Sequence, residues 1–179
     1  MDPTGATAPP SRRPHPLLFL AVAAGWLALD QLTKSWAVSR LPEGDIDVVW
    51  TLRLRLTFNS GASFSMGDGY GRWIALVALV IVVVLVWQGL KSTSRLTAVA
   101  LALIVGGALG NVIDRALRSG NGHLLGGAVV DFIDLRWWPV FNVADMGVVV
   151  GAVLLVVSSL LPEPDESPPD TSAGAADEA

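Results

Sequence analysis

Asp30, Asp114, Asp131, Asp134 and Asp145 stand in or beside apolar runs, in company with Asn59, Asn111 and Asn142. Carboxyls and amides brought within a few Å of one another can hold and move protons. Asn111 and Asp114 are three residues apart, as are Asn142 and Asp145, so in a helix each pair shares a face. Two facing carboxyls cannot both ionise cheaply; they share a proton, one serving as base and the other as acid. Such a dyad can take a proton from a water as it attacks a peptide carbonyl, while the neutral partner hydrogen-bonds the carbonyl oxygen and helps protonate the leaving nitrogen. All of these aspartates qualify on polarity alone. Asp145 gains from opening an otherwise apolar helix, and Asp131 from the run Val129-Val130-Asp131-Phe132-Ile133, where a solvated acid is out of place. Asp134, close to Arg136, reads as a surface group.

Composition says what must position these groups. The 179 residues are 52% hydrophobic and 16% charged, so lipid is the main solvent and the chain reads as an integral membrane protein. Residues 17–36, 73–90, 96–117 and 140–161 are each apolar and long enough to cross about 30 Å of hydrocarbon. A cleavable signal peptide is disfavoured for the first span, because Lys34 and Trp36 stand where a small-residue cleavage site belongs. Gly106-x-x-x-Gly110 and Gly147-x-x-x-Gly151 carry the small-residue spacing that lets membrane helices approach closely. Between spans one and two, residues 41–72 hold an alternating amphipathic strand, Thr51 to Asn59, and the Gly-rich residues 119–130 read as a loop or hairpin on the same side. Residues 1–16 and 162–179 have the composition of disordered tails flanking a membrane domain over 17–161. A raw count of Arg and Lys opposes a cytoplasmic N-terminus, but the density of bases in short flanks favours both termini inside.

Several chemistries are excluded. There is no cysteine, so no disulfide, thiolate metal site or Cys nucleophile. His15 and His123 lie in nothing resembling a metalloprotease motif, so no metal or cofactor is called for. The net charge of −4 owes much to the acidic C-terminal stretch, and no basic patch points to nucleic acid. Each polar cluster also has a structural reading. Asn142 and Asp145 suit a helix N-cap with its capping partner, Asp30 and Lys34 an i, i+4 pair, Asp114 beside Arg115 charge balance, and Asn59-Ser60-Gly61 a turn. Those readings do not explain why the clusters gather on one side of the bilayer. A proton-coupled transporter using the aspartates as a relay is the alternative from another class, but it wants acids spread through the membrane depth. A Ser/Lys peptidase would use Ser60, Ser63 or Ser65 with Lys34 as base.

The ordered motifs Asp30-Gln31-Leu32-Thr33-Lys34, Asn59-Ser60-Gly61-Ala62-Ser63-Phe64, Gly110-Asn111-Val112-Ile113-Asp114-Arg115, Val129-Val130-Asp131-Phe132 and Phe141-Asn142-Val143-Ala144-Asp145 resemble those of the type II, or lipoprotein, signal peptidases. The resemblance spans about residues 17–160. It implies an all-α membrane protein of four transmembrane helices, with a small extracytoplasmic β-cradle in about residues 41–72 between helices 1 and 2. It further implies a monomeric aspartyl endopeptidase of the bacterial cytoplasmic membrane. Its partners would be membrane lipids and diacylglyceryl-modified prolipoproteins, cut just before the lipidated cysteine. By motif, Asp131 and Asp145 would be the catalytic pair. Asn59, Gly61, Asn111, Arg115 and Asn142 would position substrate and dyad, while Asp30, Lys34 and Asp114 would be structural. Trp137 and Trp138 would anchor the link between the acids at the membrane interface.

Overall fold

The computed structural model describes residues 13–61, 71–118 and 124–161. The tails read from the sequence therefore lie outside the described residues, apart from residues 13–16, of which Pro16 already begins a helix. Helices α1 (Pro16–Arg40), α2 (Gly71–Lys91), α3 (Arg95–Leu117) and α4 (Val143–Leu160) are all long and apolar enough to cross a membrane. The chain is a multi-pass membrane protein. Strands β1 (Ile46–Val49), β2 (Leu52–Asn59) and β3 (Val129–Asp134) form one antiparallel sheet in that order.

Two helix ends differ from the sequence expectation. α1 runs on past Trp36 to Arg40, because Asp30 and Lys34 satisfy each other inside the bundle and do not interrupt the helix. α4 begins at Val143 and not at Val140, because Asn142 is its N-cap: the Asn142 side chain accepts from the Asp145 amide and the Asp145 carboxylate accepts from the Asn142 amide.

α3 is the central helix, packed against α1, α2 and α4, and it is the most buried of the spans. Lipid tails are as apolar as leucine, so apolar burial alone gives these helices no reason to associate; small residues and internal polar bonds must do it. Both Gly-x-x-x-Gly pairs face neighbours as their spacing predicts, Gly106 against Ala23 and Trp26 of α1, and Gly151 against Ala100 and Ile104 of α3. Gly110 leaves room for the Asp30 carboxylate. Lys34, fully buried, places its ammonium 2.9 Å from Asp30 Oδ2 and 3.0 Å from Asp114 Oδ2. Asp30 Oδ1 accepts from the Ala144 amide of α4 at 2.9 Å, and Asp114 Oδ2 accepts from the Val130 amide of β3 at 3.1 Å. One cation and two carboxylates thus join α1, α3, α4 and β3. Asp114 makes its direct ion pairs with Lys34 and Arg118, while its charge also acts on its neighbour Arg115, as the sequence suggested.

The sheet takes its third strand from the link between α3 and α4, so Val129 and Val130, read from the sequence as part of a loop, are strand residues. Of the rest of that expected loop, residues 119–123 lie outside the described residues, and residues 124–128 are turn and irregular chain. Val130 and Phe132 pack with Ala37 and Leu41 at the end of α1, and strand alternation turns Asp131 to the opposite face. In the β2–β3 register Asn59 pairs with Val129 and Thr57 with Asp131, which makes Asn59 the diagonal neighbour of Asp131 on that face. Arg53 pairs directly across from Asp134 and bonds it at 2.5 Å. Asp134 is accordingly covered by Arg53 and only 4% exposed, not the free surface acid expected. After β3 the chain turns through Trp137 and Trp138 and returns at Phe141, whose amide donates to the Ile133 carbonyl at 3.1 Å. That closure sets Asn142 beside Asp131.

A Cβ on Gly151 would lie 2.6 Å from the Ala100 carbonyl oxygen and 2.7 Å from Ile104 Cγ1. Gly151→Ala should therefore lose about 1–3 kcal/mol through overpacking, outweighing the roughly 1 kcal/mol that alanine gains over glycine in a helix. Lys34→Met, which strands two buried carboxylates, should cost more, about 3–5 kcal/mol. Thermal unfolding in detergent measures both, and a Gly151→Ala protein as stable as the parent would contradict the packing described.

Candidate active site

Asp131 comes from β3, Asp145 from the first turn of α4, Asn111 from α3, Asn142 from the cap of α4 and Asn59 from the end of β2. Their side chains form one connected network. Asn142 Nδ2 donates to Asp131 Oδ1 at 2.6 Å, and Asn59 Nδ2 donates to Asp131 Oδ2 at 3.1 Å. Asn111 Nδ2 donates to Asp145 Oδ1 at 2.9 Å, and Asn142 Nδ2 also donates to Asn111 Oδ1 at 3.1 Å.

Each amide is held in one orientation by a group that can only donate. Lys34 Nζ donates to Asn111 Oδ1 at 2.9 Å, the Asp145 amide to Asn142 Oδ1 at 3.0 Å, and the Gly61 amide to Asn59 Oδ1 at 3.2 Å. A flip of any of the three would set an NH2 against a donor. Every asparagine therefore presents its NH2 to a carboxylate. The capping reading of Asn142 and Asp145 and the turn reading of Asn59 to Gly61 both hold, and the same contacts build the site.

Both acids line a cavity of about 250 Å³. Asn59, Asn111 and Arg115 contribute its other polar walls, while Ala75 and Ala78 of α2 and Ala108 of α3 form an apolar side. Arg115 clamps the rim by donating to the carbonyl of Gly61 at 3.2 Å and to that of Gly127 at 3.3 Å, so it ties the end of β2 to the approach to β3. Asp131 is 3% exposed, and burial pushes its carboxyl up to about 6. Donation from Asn59 opposes that rise and the neighbouring charge of Asp145 adds to it. Asp134, by contrast, is held below the ordinary carboxylate range by its bond to Arg53 and takes no part in the cavity.

The described residues given a role by motif gather at this end of the bundle. Lys34 has its three donors committed to Asp30, Asp114 and Asn111, which leaves it unable to act as a base for serine. Ser63 and Ser65 lie outside the described residues. Sequence reasoning missed Gly127, which matters through its carbonyl alone, and Trp26, whose indole N–H donates to the Val143 carbonyl at 3.1 Å and fixes the start of α4 to α1. Neither carries a local signal, because both act through contacts distant in sequence.

Paired carboxylates at one end of a bundle of membrane-length helices define a membrane-embedded enzyme of acid–base hydrolytic type. The family model described as signal peptidase (SPase) II matches residues 22–161, and the chain belongs to that family of aspartic proteases. It is 49% identical over 166 residues to the lipoprotein signal peptidase of Mycobacterium avium (strain 104), covering 89% of this chain and 88% of that one. It is 44% identical over 170 residues to that of Rhodococcus jostii (strain RHA1), covering 92% and 84% respectively. A bacterial membrane enzyme solved by the in meso method at 1.9 Å superposes with a TM-score of 0.71 at 26% identity, covering 85% of this chain and 98% of that one. Family and fold leave no support for the transporter alternative.

The raised Asp131 pKa has a consequence for stability. An unfolded Asp131 titrates near 3.8 and the folded one near 6, so between those values the folded state binds more protons. Stability should fall as pH rises from about 4 to about 6, by an amount on the order of 2–3 kcal/mol, and level off above. Asp131→Asn should remove that part of the slope; unfolding followed by denaturant at a series of pH values checks it, and an unchanged slope would disprove the assignment to Asp131.

Proposed function

We propose that the chain is the endopeptidase that removes the signal peptide from diacylglyceryl-modified prolipoproteins, cutting before the lipidated cysteine, with Asp131 and Asp145 as its catalytic pair. The observation that carries the reading is that these two acids, on different elements, open on one cavity and are each held by asparagine NH2 groups. Burial favours the protonated form of Asp131, to which we assign the part of the acid, with Asp145 as the base. A water attacks the scissile carbonyl carbon and gives a proton to Asp145, while Asp131 protonates the carbonyl oxygen. As the resulting diol collapses, Asp145 returns its proton to the leaving nitrogen and Asp131 regains one from a hydroxyl, so the pair ends as it began.

Asn111 and Asn142 orient the acids, and Asn59, Gly61 and Arg115 shape the wall along which the substrate backbone lies. The apolar cavity wall from α2 and α3 suits a substrate that arrives sideways from lipid on its own signal helix. This reading puts the acids near the outer face of the bacterial cytoplasmic membrane with both termini in the cytoplasm, the sheet forming a cradle on that face and the enzyme acting as a monomer.

Reconstituted in liposomes, the chain should cut a diacylglyceryl lipobox substrate before its modified cysteine. Asp131→Asn and Asp145→Asn, each shown to be folded, should lower kcat by about a thousandfold or more. Retention of near-parental cleavage by either variant would sink the dyad.

A further inference from the structure

A second space reaches Asp145, though not Asp131. It is a groove of about 460 Å³ between the β3–α4 link and the outer face of the helix. Trp137, Trp138 and Phe141 wall it from the link, and Met146, Val149 and Val150 from the helix. Among the described residues Asp145 is the one ionisable group on its wall, and it also lines the cavity that holds Asp131. Trp137 and Trp138 are 70% and 58% exposed, and Val149 is 62% exposed.

We propose that this groove seats an acyl chain of the substrate's lipid-modified cysteine. The inference rests on the peptidase reading above. With the scissile bond at the acid pair, two parts of such a substrate must run back into the bilayer: the signal helix and the acyl chains on the cysteine. Two spaces converge on Asp145, and their walls differ. The cavity offers Asn59, Asn111 and Arg115, which suit peptide groups that need hydrogen bonds when buried. The groove offers almost wholly apolar side chains, which suit methylenes. It leads the right way: Val149 and Val150 lie about a turn of helix beyond Asp145, towards the hydrocarbon, beneath tryptophans of the kind that sit at the membrane interface.

The acyl chain comes from lipid, not from water, so burying it in the groove adds no hydrophobic free energy. What the groove supplies is direction. Seating the chain fixes the cysteine, and with it the peptide bond before it, against Asp145 and Asp131, which turns a loosely tethered substrate into an aligned one.

The test compares diacylglyceryl lipobox peptides that carry the same signal helix and either palmitoyl or butyryl chains, in liposomes. Val149→Trp fills the groove; Val153→Trp adds the same bulk to an exposed position further along α4 that does not line it. The parent should prefer the palmitoyl substrate in kcat/KM. Val149→Trp should lose about tenfold on that substrate and little on the butyryl one, which abolishes the preference, while Val153→Trp keeps it. A Val149→Trp protein that retains the parent's preference, or that loses both substrates equally, would overturn the assignment while leaving the peptidase reading intact. Failure of the parent chain to cut any lipidated substrate would overturn that reading and this inference together.

Discussion

The structure depends on one buried cation. Lys34 stands between Asp30 and Asp114, and through those carboxylates it reaches the backbone of α4 at Ala144 and of β3 at Val130. In a bilayer the helices gain nothing from hiding apolar surface from one another, so interhelical polar bonds and small-residue contacts must define which faces meet. An ion cluster of this kind is no better for stability than well-packed apolar residues would be, because the charges must first be stripped of solvent. Its contribution is to select an arrangement: only when α1, α3, α4 and β3 are correctly placed are all three charges answered. The third donor of the same ammonium goes to Asn111, so the group that fixes the bundle also fixes the amide facing Asp145.

That coupling runs through the whole site. Asn142 is at once the cap of α4, the partner of Asp131 and a donor to Asn111. The helix start cannot move without moving the acids, and none of the three asparagine amides has a second orientation that satisfies its neighbours. For the acid pair proposed above, such pre-organisation means that no reorientation is needed as charge shifts. The functional and structural explanations of these residues are therefore not rivals, as capping and ion pairing are the means by which the acids are held.

The two spaces that meet at Asp145 follow from the same architecture. α2 and α4 both pack on α3, and apolar side chains of α2 and α3 line the hollow beside Asp131. On the other side, the return of the chain at Phe141 leaves the Trp137–Trp138 turn standing over the lipid-facing surface of α4.

Much of this was decided by the sequence alone. Span number follows from apolar length, close helix approach from the glycine spacing, and the α4 cap from Asn142 and Asp145, because each depends on residues within a turn or two of one another. The strand character of Leu52 to Asn59 was legible for the same reason, and the motifs carried the family. Tertiary structure alone decided the rest. That Val129 to Asp134 is a strand, that Arg53 covers Asp134, that Lys34 answers Asp114 and orients Asn111, and that Gly127 and Trp26 matter are all pairings across long stretches of chain. Such partners leave no periodic trace in either segment, and for a buried charge in lipid the identity of the partner is what determines whether it can be there at all.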